Sequence, residues 1–282
     1  MKMEQRSDNR NINPESTGGS QSARRALSVL NVLADAGQER GVREIARELS
    51  LAPSIVQRLI QTLVEYGYVE RASDGQKYRI GYRAFQVGRS YLAQNDLHAI
   101  SLPELRAMAE HDQINAYLGV LRDRSVVYLE AIQSSGPIAI VSTPGSRASL
   151  HSTAFGKALL AELPDPDVAE LLGPEPFRRL TAKTKVTLDA FMQELRDVRL
   201  KGFAISDEEN IDNVFAAGAV IRDASGRAIA SVSGAVPRHQ LNAQAIEKLC
   251  QVIVGAAERI SRRLGAAPSA ARPVTTRMSE KT

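Results

Sequence analysis

VREIARELSLAPSIVQRLIQTLVEYGYVERASDGQKYRIG, residues 42–81, decides how the first third of the chain folds. Val42, Ile45, Ala46 and Leu49 fall at i, i+3, i+4 and i+7, one apolar stripe of a helix. Val56, Leu59, Ile60 and Leu63 repeat that spacing after a break, and Pro53 suits a first helical turn, where a missing amide proton costs nothing. Only Ser50 to Ala52 separate the stripes, so the two helices must cross steeply and pack on a third element. Ala26, Val29, Leu30 and Leu33 supply it upstream at the same spacing. Gly67 ends the second helix. Tyr68 to Arg71 and Lys77 to Ile80 then read as two strands around Ser73, Asp74 and Gly75, with Asp-Gly as the hairpin signal. Helix, turn, helix and hairpin in unbroken order predict a winged helix-turn-helix.

The second helix carries Ser54, Gln57, Arg58 and Gln61 opposite its apolar stripe. Gln can pair with adenine in bidentate fashion, and Arg with guanine or a phosphate, so this face suits base edges. Arg71, Lys77, Arg79 and Arg83 make the wing basic, which suits phosphates. The same polar face would also serve a solvated helix or a protein-docking module. Ser54 followed by Gln57 spells a capping box as well, which would occupy both with helix initiation.

At 282 residues, 43% hydrophobic and 24% charged, the chain has the composition of a globular protein with room for two cores. The net charge is +4, and Ser22 to Arg83 holds ten Lys and Arg against seven Asp and Glu, so most of the excess lies in the winged part. No apolar run approaches the roughly 20 residues that span a membrane, and the N-terminus lacks signal-peptide character, which predicts a cytoplasmic protein with no membrane partner. The single cysteine, Cys250, excludes an intramolecular disulfide and any cysteine-rich zinc site. It lies on the stripe Ile246, Leu249, Cys250, Ile253, which predicts a buried structural thiol. The polar ends, 1–21 and 266–282, read as disordered tails. Phe85 to Leu97 reads as a linker helix with Phe85, Gly88 and Leu92 on one side, available for a dimer contact.

From about Ser101 the pattern becomes mixed. INAYLGVL and SVVYLEAI flank Arg122 to Arg124 as a hairpin, Pro137 to Ser142 reads as a third strand, and Phe203 to Ser206, Asn213 to Arg222 and Arg227 to Ser233 return as strands after intervening helices. Such an order predicts an α+β domain with a mainly antiparallel sheet. Its most informative segment is LHSTAFGKALL, residues 150–160, where Ser152 is a plausible N-cap and the amides of Thr153, Ala154 and Phe155 would face outward to receive a carboxylate or phosphate. Ser152 could equally cap a structural helix.

Enzymatic motifs fail. Gly156-Lys157 resembles a phosphate loop, but His151 stands at its first glycine position and Ala158 at its Ser/Thr position. The four histidines, His98, His111, His151 and His239, have no metal-ligand spacing. His151 is best read as a turn-stabilising residue, and the acidic run Asp207, Glu208, Glu209 and Asp212 as a solvated loop. No catalytic residue, metal or cofactor is predicted.

In their order, SARRALSVLNVLADA, the helix pair with PSIVQRLIQTLVEYGYVER, LHSTAFGKALLA, KGFAISDEEN and the VSGAVP end resemble the IclR-type bacterial transcriptional regulators, from about Ser22 to Leu264. The resemblance implies an N-terminal winged helix-turn-helix, a dimerising linker helix and a C-terminal GAF-like effector domain. It implies homodimers or dimers of dimers on palindromic double-stranded DNA operators near catabolic genes, answering to a small organic acid. It carries DNA contact to Ser54, Ile55, Gln57 and Arg58, beside the Gln61, Lys77 and Arg79 taken from residue type. Pro53 stands where many members have a basic residue and Ile55 where many have Thr, so base preferences should differ. In the effector domain the resemblance points to Thr153, Ala154 and Phe155 at the helix start and to the later strands. There Ser206 replaces the usual aspartate, Ala216 the usual cysteine, and the two late serines correspond to Ser233 and Ala235. Fewer polar groups imply a different or more apolar ligand than the small keto acids of well-known members.

The expected domains are therefore a tail at 1–21, the winged helix-turn-helix at 22–83, a linker helix at 84–99, the effector domain at 100–265 and a tail at 266–282. The rival expectation is an enzyme or sensor acting on a small acid, with the N-terminal unit as a docking module.

Overall fold

A computed structural model describes residues 19–73, 75–93, 96–136 and 142–267. The chain divides into two compact units, Met1–Gln94 and Asn95–Thr282. The tails expected to be disordered lie almost wholly outside the described residues.

The first unit runs α1 (Gln21–Ala36), β1 (Arg40–Gly41), α2 (Val42–Glu48), α3 (Pro53–Glu65), β2 (Val69–Arg71), β3 (Lys77–Ile80) and α4 (Tyr82–Ala93). Val29 and Leu33 of α1, Ile45 and Ala46 of α2, and Val56, Ile60 and Leu63 of α3 close one core, joined by Val32, Val69 and Tyr78. Burying one such aliphatic side chain contributes about 1.5–3 kcal/mol, so the three stripes suffice to hold the helices together. Glu44 reaches back to accept from the Gly41 amide at 2.8 Å and starts α2. The turn into α3 passes through Ser50 at φ 54°. The N-cap of α3 is Ala52 with Pro53 in the first turn, so Ser54 and Gln57 form no capping box: Pro53 already sets the helix start two residues earlier than that reading required. At the other end Gly67 takes φ 73°, the left-handed conformation that lets the Tyr68 amide donate to Leu63 O at 2.9 Å and turns the chain into the wing. The wing is three-stranded in the order β1-β3-β2, one strand more than expected. Asp74 of its hairpin signal lies outside the described residues. The expected linker helix corresponds to α4, which stops at Ala93, and to the first turn of a second helix starting at Asp96; residues 94 and 95 lie outside the description.

The second unit runs α5 (Asp96–Glu110), β4 (Asn115–Arg122), β5 (Ser125–Ile132), β6 (Arg147–Ala148), α6 (Ala154–Leu160), α7 (Asp165–Leu172), α8 (Leu188–Lys201), β7 (Ala204–Asp207), β8 (Val214–Arg222), β9 (Ala228–Pro237) and α9 (Ala243–Arg263). One six-stranded sheet has the order β6-β5-β4-β9-β8-β7, with every pairing antiparallel. The third strand expected at Pro137 to Ser142 falls on residues that are undescribed from 137 to 141; the short β6 borders β5 instead.

Strand alternation assigns the two faces. Ala116, Leu118 and Val120 of β4, Ala217, Ala219 and Ile221 of β8, and Ala230 and Val232 of β9 pack with α5 and α9. Cys250 lies in that layer, fully buried, and burial pushes its thiol up to about 12. The opposite face receives α6 and is closed beyond it by Phe177 and by Phe191, Leu195 and Val198, the last three on α8.

Candidate functional site

On α3, Ser54, Arg58 and Gln61 are exposed while Ile55 and Gln57 are half-buried. None of the four polar side chains has a hydrogen-bond or ion-pair partner among the described residues. The helix presents donors and acceptors that the fold itself does not consume. Lys77 and Arg79 are both exposed on β3. Arg79 lies 3.4 Å from Glu70 and 3.9 Å from Glu39, loose surface pairs that a phosphate could displace. The Arg71 guanidinium sits over the Tyr78 ring, 5.9 Å from its centroid.

In the second unit the sheet register gathers the other candidates. Ser206 pairs with Ala216, which pairs with Ala235; on the next rung of the same face, Gly218 pairs with Ser233, which pairs with Tyr117. Gly218 brings the sheet against the start of α6: a Cβ there would meet Ala154 C and Phe155 N at 2.7 Å. Between sheet and helix lies a cavity of about 40 Å³ lined by all seven expected residues, Thr153, Ala154, Phe155, Ser206, Ala216, Ser233 and Ala235. It is also lined by Tyr117, Tyr128, Ser142, Asn210, Ile211 and Val214, which the sequence reading did not single out. Tyr117 carried a usable signal, an aromatic alternating with the aliphatic Ala116 and Leu118 on a strand whose two faces are both buried. Asn210 carried none, because it reaches the wall through the loop after β7.

The cavity is small because rings fill its neighbourhood. Tyr128 lies edge-on to Phe155 at 5.1 Å and to Tyr117 at 5.6 Å. Burial raises the pKa of both tyrosines, with the neighbouring Tyr128 adding to the rise at Tyr117. Both phenols therefore stay protonated at neutral pH.

The N-cap of α6 is Thr153, whose Oγ1 accepts from the Gly156 amide at 3.3 Å, and not Ser152. Ser152 instead donates to Asn210 Oδ1 at 2.9 Å, tying the helix start to the loop after β7. Gly156 permits the close fit at this helix start: a Cβ there would meet Leu150 O at 2.5 Å and Thr153 Oγ1 at 2.8 Å. The amides of Ala154 and Phe155 have no hydrogen-bond partner among the described residues.

Behind the cavity stands a buried ionic cluster. Lys157, with no exposed side-chain surface, donates to Glu209 Oε1 at 2.7 Å, Glu194 Oε1 at 2.8 Å and Ile205 O at 2.8 Å. Lys185 lies 3.1 Å from Glu194 and 3.2 Å from Glu209. Burial pulls the Lys185 ammonium down, and the two carboxylates outweigh it, holding its pKa above the usual value. Two cations and two anions balance inside the fold. Glu209 is therefore part of the interior and not of a solvated acidic loop, and Asp207 ends strand β7 with its Oδ1 accepting from Arg238 Nε at 2.8 Å, so the expectation is corrected at both positions; the pairing that buries Glu209, with a lysine 52 residues away, has no local sequence signature. His151 is structural as expected. Its Nε2 donates to Arg178 O at 3.0 Å and its Nδ1 accepts from Ser149 Oγ at 3.0 Å. Burial holds its pKa below the usual value, against the opposing pull of the Arg178 carbonyl.

A larger groove of about 380 Å³ lies on the surface of this unit near Leu121, Leu159 and Ile229, with exposed Arg122 and Glu162 at its rim. It contains none of the expected residues. Among the described residues, no cluster of three or more His, Cys, Asp or Glu is placed to hold a metal, and no helix is long and apolar enough to cross a membrane.

Residues 22–73 match the IclR helix-turn-helix domain, and residues 89–262 match the family described as bacterial transcriptional regulator IclR C-terminal. The HTH-type transcriptional regulator BhcR of Paracoccus denitrificans is 30% identical over 257 residues, 91% of each chain. The transcriptional repressor IclR of Escherichia coli is 26% identical over 247 residues, 87% of this chain and 90% of its own length. Among solved structures, the IclR of Thermotoga maritima superposes with a TM-score of 0.67 at 27% identity, covering 86% of this chain and 98% of its own.

Proposed function

The chain belongs to the IclR family of bacterial transcriptional regulators, and from that premise we propose how its residues divide the work. The protein is a DNA-binding regulator with an effector-binding domain, not an enzyme. In the proposed division Ser54, Ile55, Gln57, Arg58 and Gln61 on α3 read base edges in the major groove, and Lys77 and Arg79 on the wing hold phosphates.

The effector is a small organic acid seated in the cavity between α6 and the sheet. The observation that supports this reading is that the seven residues the family resemblance points to all line one 40 Å³ cavity. The uncommitted amides of Ala154 and Phe155 and the side-chain amide of Asn210 supply donors for an acid oxygen there.

The working form is a homodimer, or a dimer of dimers, on a palindromic operator beside a catabolic operon, in the cytoplasm where the bacterial chromosome lies. Support comes from α4, which buries no residue and exposes Tyr82, Phe85, Val87 and Tyr91 by 47–67%. Four large apolar side chains on a twelve-residue helix call for a cover, and a second copy supplies it. Effector binding would alter the spacing of two recognition helices, which must match a DNA repeat of about 34 Å. The regulator acts as repressor or activator according to where its operator lies relative to the promoter.

Gel-shift titration on the DNA upstream of its own and adjacent genes tests this, across a salt series and with a panel of small acids. Sequence-specific, salt-sensitive binding that one acid shifts is the expected result. Equal weak binding to every fragment would overturn the assignment of α3 as the reading helix.

A further inference from the structure

We infer that the effector carries a hydroxyl group, so that the cavity selects the hydroxy form of a small acid over the matching oxo form. The inference rests on the proposed reading that the ligand is an acid bound in this cavity, and it adds the polarity of its second functional group.

The argument is a count of protons. Ser206 Oγ lies 2.6 Å from Ser152 O, and Ser233 Oγ lies 2.8 Å from Ala217 O. A backbone carbonyl can only accept, so each hydroxyl must spend its single proton on it. What the two serines have left for the cavity is lone pairs. They are 4% and 1% exposed, so water does not loosen this commitment. Thr153 is spent in the same way: its hydroxyl lies 2.5 Å from Ser149 O. The part of the wall formed by Ser206 and Ser233 thus offers only acceptors, while the protonated phenols of Tyr117 and Tyr128 line the cavity elsewhere on the sheet.

A ligand facing Ser206 and Ser233 must therefore bring a donor. Three groups on a small acid could do so: an ammonium, a hydroxyl, or an amide N–H, which brings beside it a carbonyl whose lone pairs find no donor on these serines. Among the described residues no Asp, Glu, Lys or Arg lines the cavity, so a buried ammonium would have no counter-charge beside it, whereas a hydroxyl needs none. An oxo group brings only lone pairs and would set them against those of the serines. To donate to it, either serine would have to give up the bond it now makes to a backbone carbonyl. Asn210 completes the polarity. Its Oδ1 accepts from Ser152, and its Nδ2 has no partner among the described residues, so an acid oxygen finds its donor on the loop while the hydroxyl finds its acceptors on the sheet.

The experiment uses the full-length protein and two matched pairs of probes, lactate (both enantiomers) against pyruvate and 2-hydroxybutyrate against 2-oxobutyrate. Binding is followed by calorimetry and by release or strengthening of the operator complex. One hydroxy acid is expected to bind at least about tenfold more tightly than its oxo partner. In Ser233→Ala that ratio should fall toward unity through loss of hydroxy-acid affinity while oxo-acid affinity holds, a selective change that a general folding defect would not produce. If an oxo acid binds as well or better, the hydroxyl inference is overturned and the acid-effector reading stands. If neither member of either pair binds and no other small acid does, the acid-effector reading fails and takes the inference with it. If an acid without a hydroxyl binds where these fail, the inference alone is overturned.

Discussion

Lys157 holds Glu209 at 2.7 Å inside the effector domain, with the lysine side chain wholly buried and the glutamate 5% exposed. The pair joins α6 to the loop that follows β7, and the next residue on that loop, Asn210, lines the cavity. Removing one partner of a buried pair leaves an uncompensated charge. Lys157→Met should destabilise the protein by about 3–5 kcal/mol, and pairing it with Glu209→Met should recover part of that loss. Urea unfolding followed by circular dichroism measures both. A single variant within about 1 kcal/mol of the parent would mean that solvent reaches the cluster.

The close approach of Gly218 to α6 gives a second expectation. Any side chain there meets Ala154 and Phe155 backbone atoms at 2.7–2.9 Å, none of them able to swing aside. Gly218→Ala should cost about 1–3 kcal/mol by overpacking and should abolish effector response at concentrations that saturate the parent. Operator affinity without effector should survive if the winged domain folds independently. Thermal unfolding and gel shifts on the same preparation separate the two effects.

His151 makes stability depend on pH. Its folded pKa is depressed, chiefly by burial, so the native state favours the neutral ring and binds fewer protons than the unfolded chain. That contribution is full above the unfolded value of about 6.5 and is lost as pH falls through the depressed folded value. His151→Gln should flatten this part of the stability curve while lowering its plateau through the lost bond to Arg178 O. Denaturant midpoints measured from pH 7.5 down to pH 5 would show it. A variant that keeps the parent's slope would assign the acid sensitivity to other groups.

Cys250 is fully buried with its thiol pushed up to about 12, so the native protein presents almost no thiolate. Iodoacetamide should leave it unmodified over hours at pH 7.5 and label it within minutes in denaturing urea. Mass spectrometry reads the difference, and prompt native labelling would show that α9 opens locally.

The periodicity of Val42 to Leu63 was sufficient for the helix pair because each helix buries one stripe against its immediate neighbours in sequence. The same logic reached the β4–β5 hairpin, where alternation and a short turn are both local. It failed where the cause is distant. Whether Ser54 caps a helix depends on Pro53, but the burial of Glu209 depends on Lys157, and Asn210, at the cavity wall, is bonded to Ser152, 58 residues away. The seven effector candidates came from family likeness, and periodicity alone would not have joined Thr153 to Ser233; the sheet register does.

The division of labour on the DNA side makes the sharpest expectation. Arg58 is exposed on α3 with no partner in the described structure, so its whole donor fork is available to a guanine edge. Arg79 sits on the wing in loose pairs with Glu39 and Glu70, a position suited to a phosphate. Arg58→Ala should cost about 1–3 kcal/mol on the operator and almost nothing on unrelated DNA, which relaxes specificity at one base pair. Arg79→Ala should weaken both DNAs alike and reduce the slope of log affinity against log salt by about one. Fluorescence anisotropy on operator and scrambled duplexes across a salt series distinguishes the two signatures. If Arg58→Ala lowers both affinities equally and the salt slope with them, then Arg58 is the phosphate contact, and base reading must lie with Gln57 and Gln61.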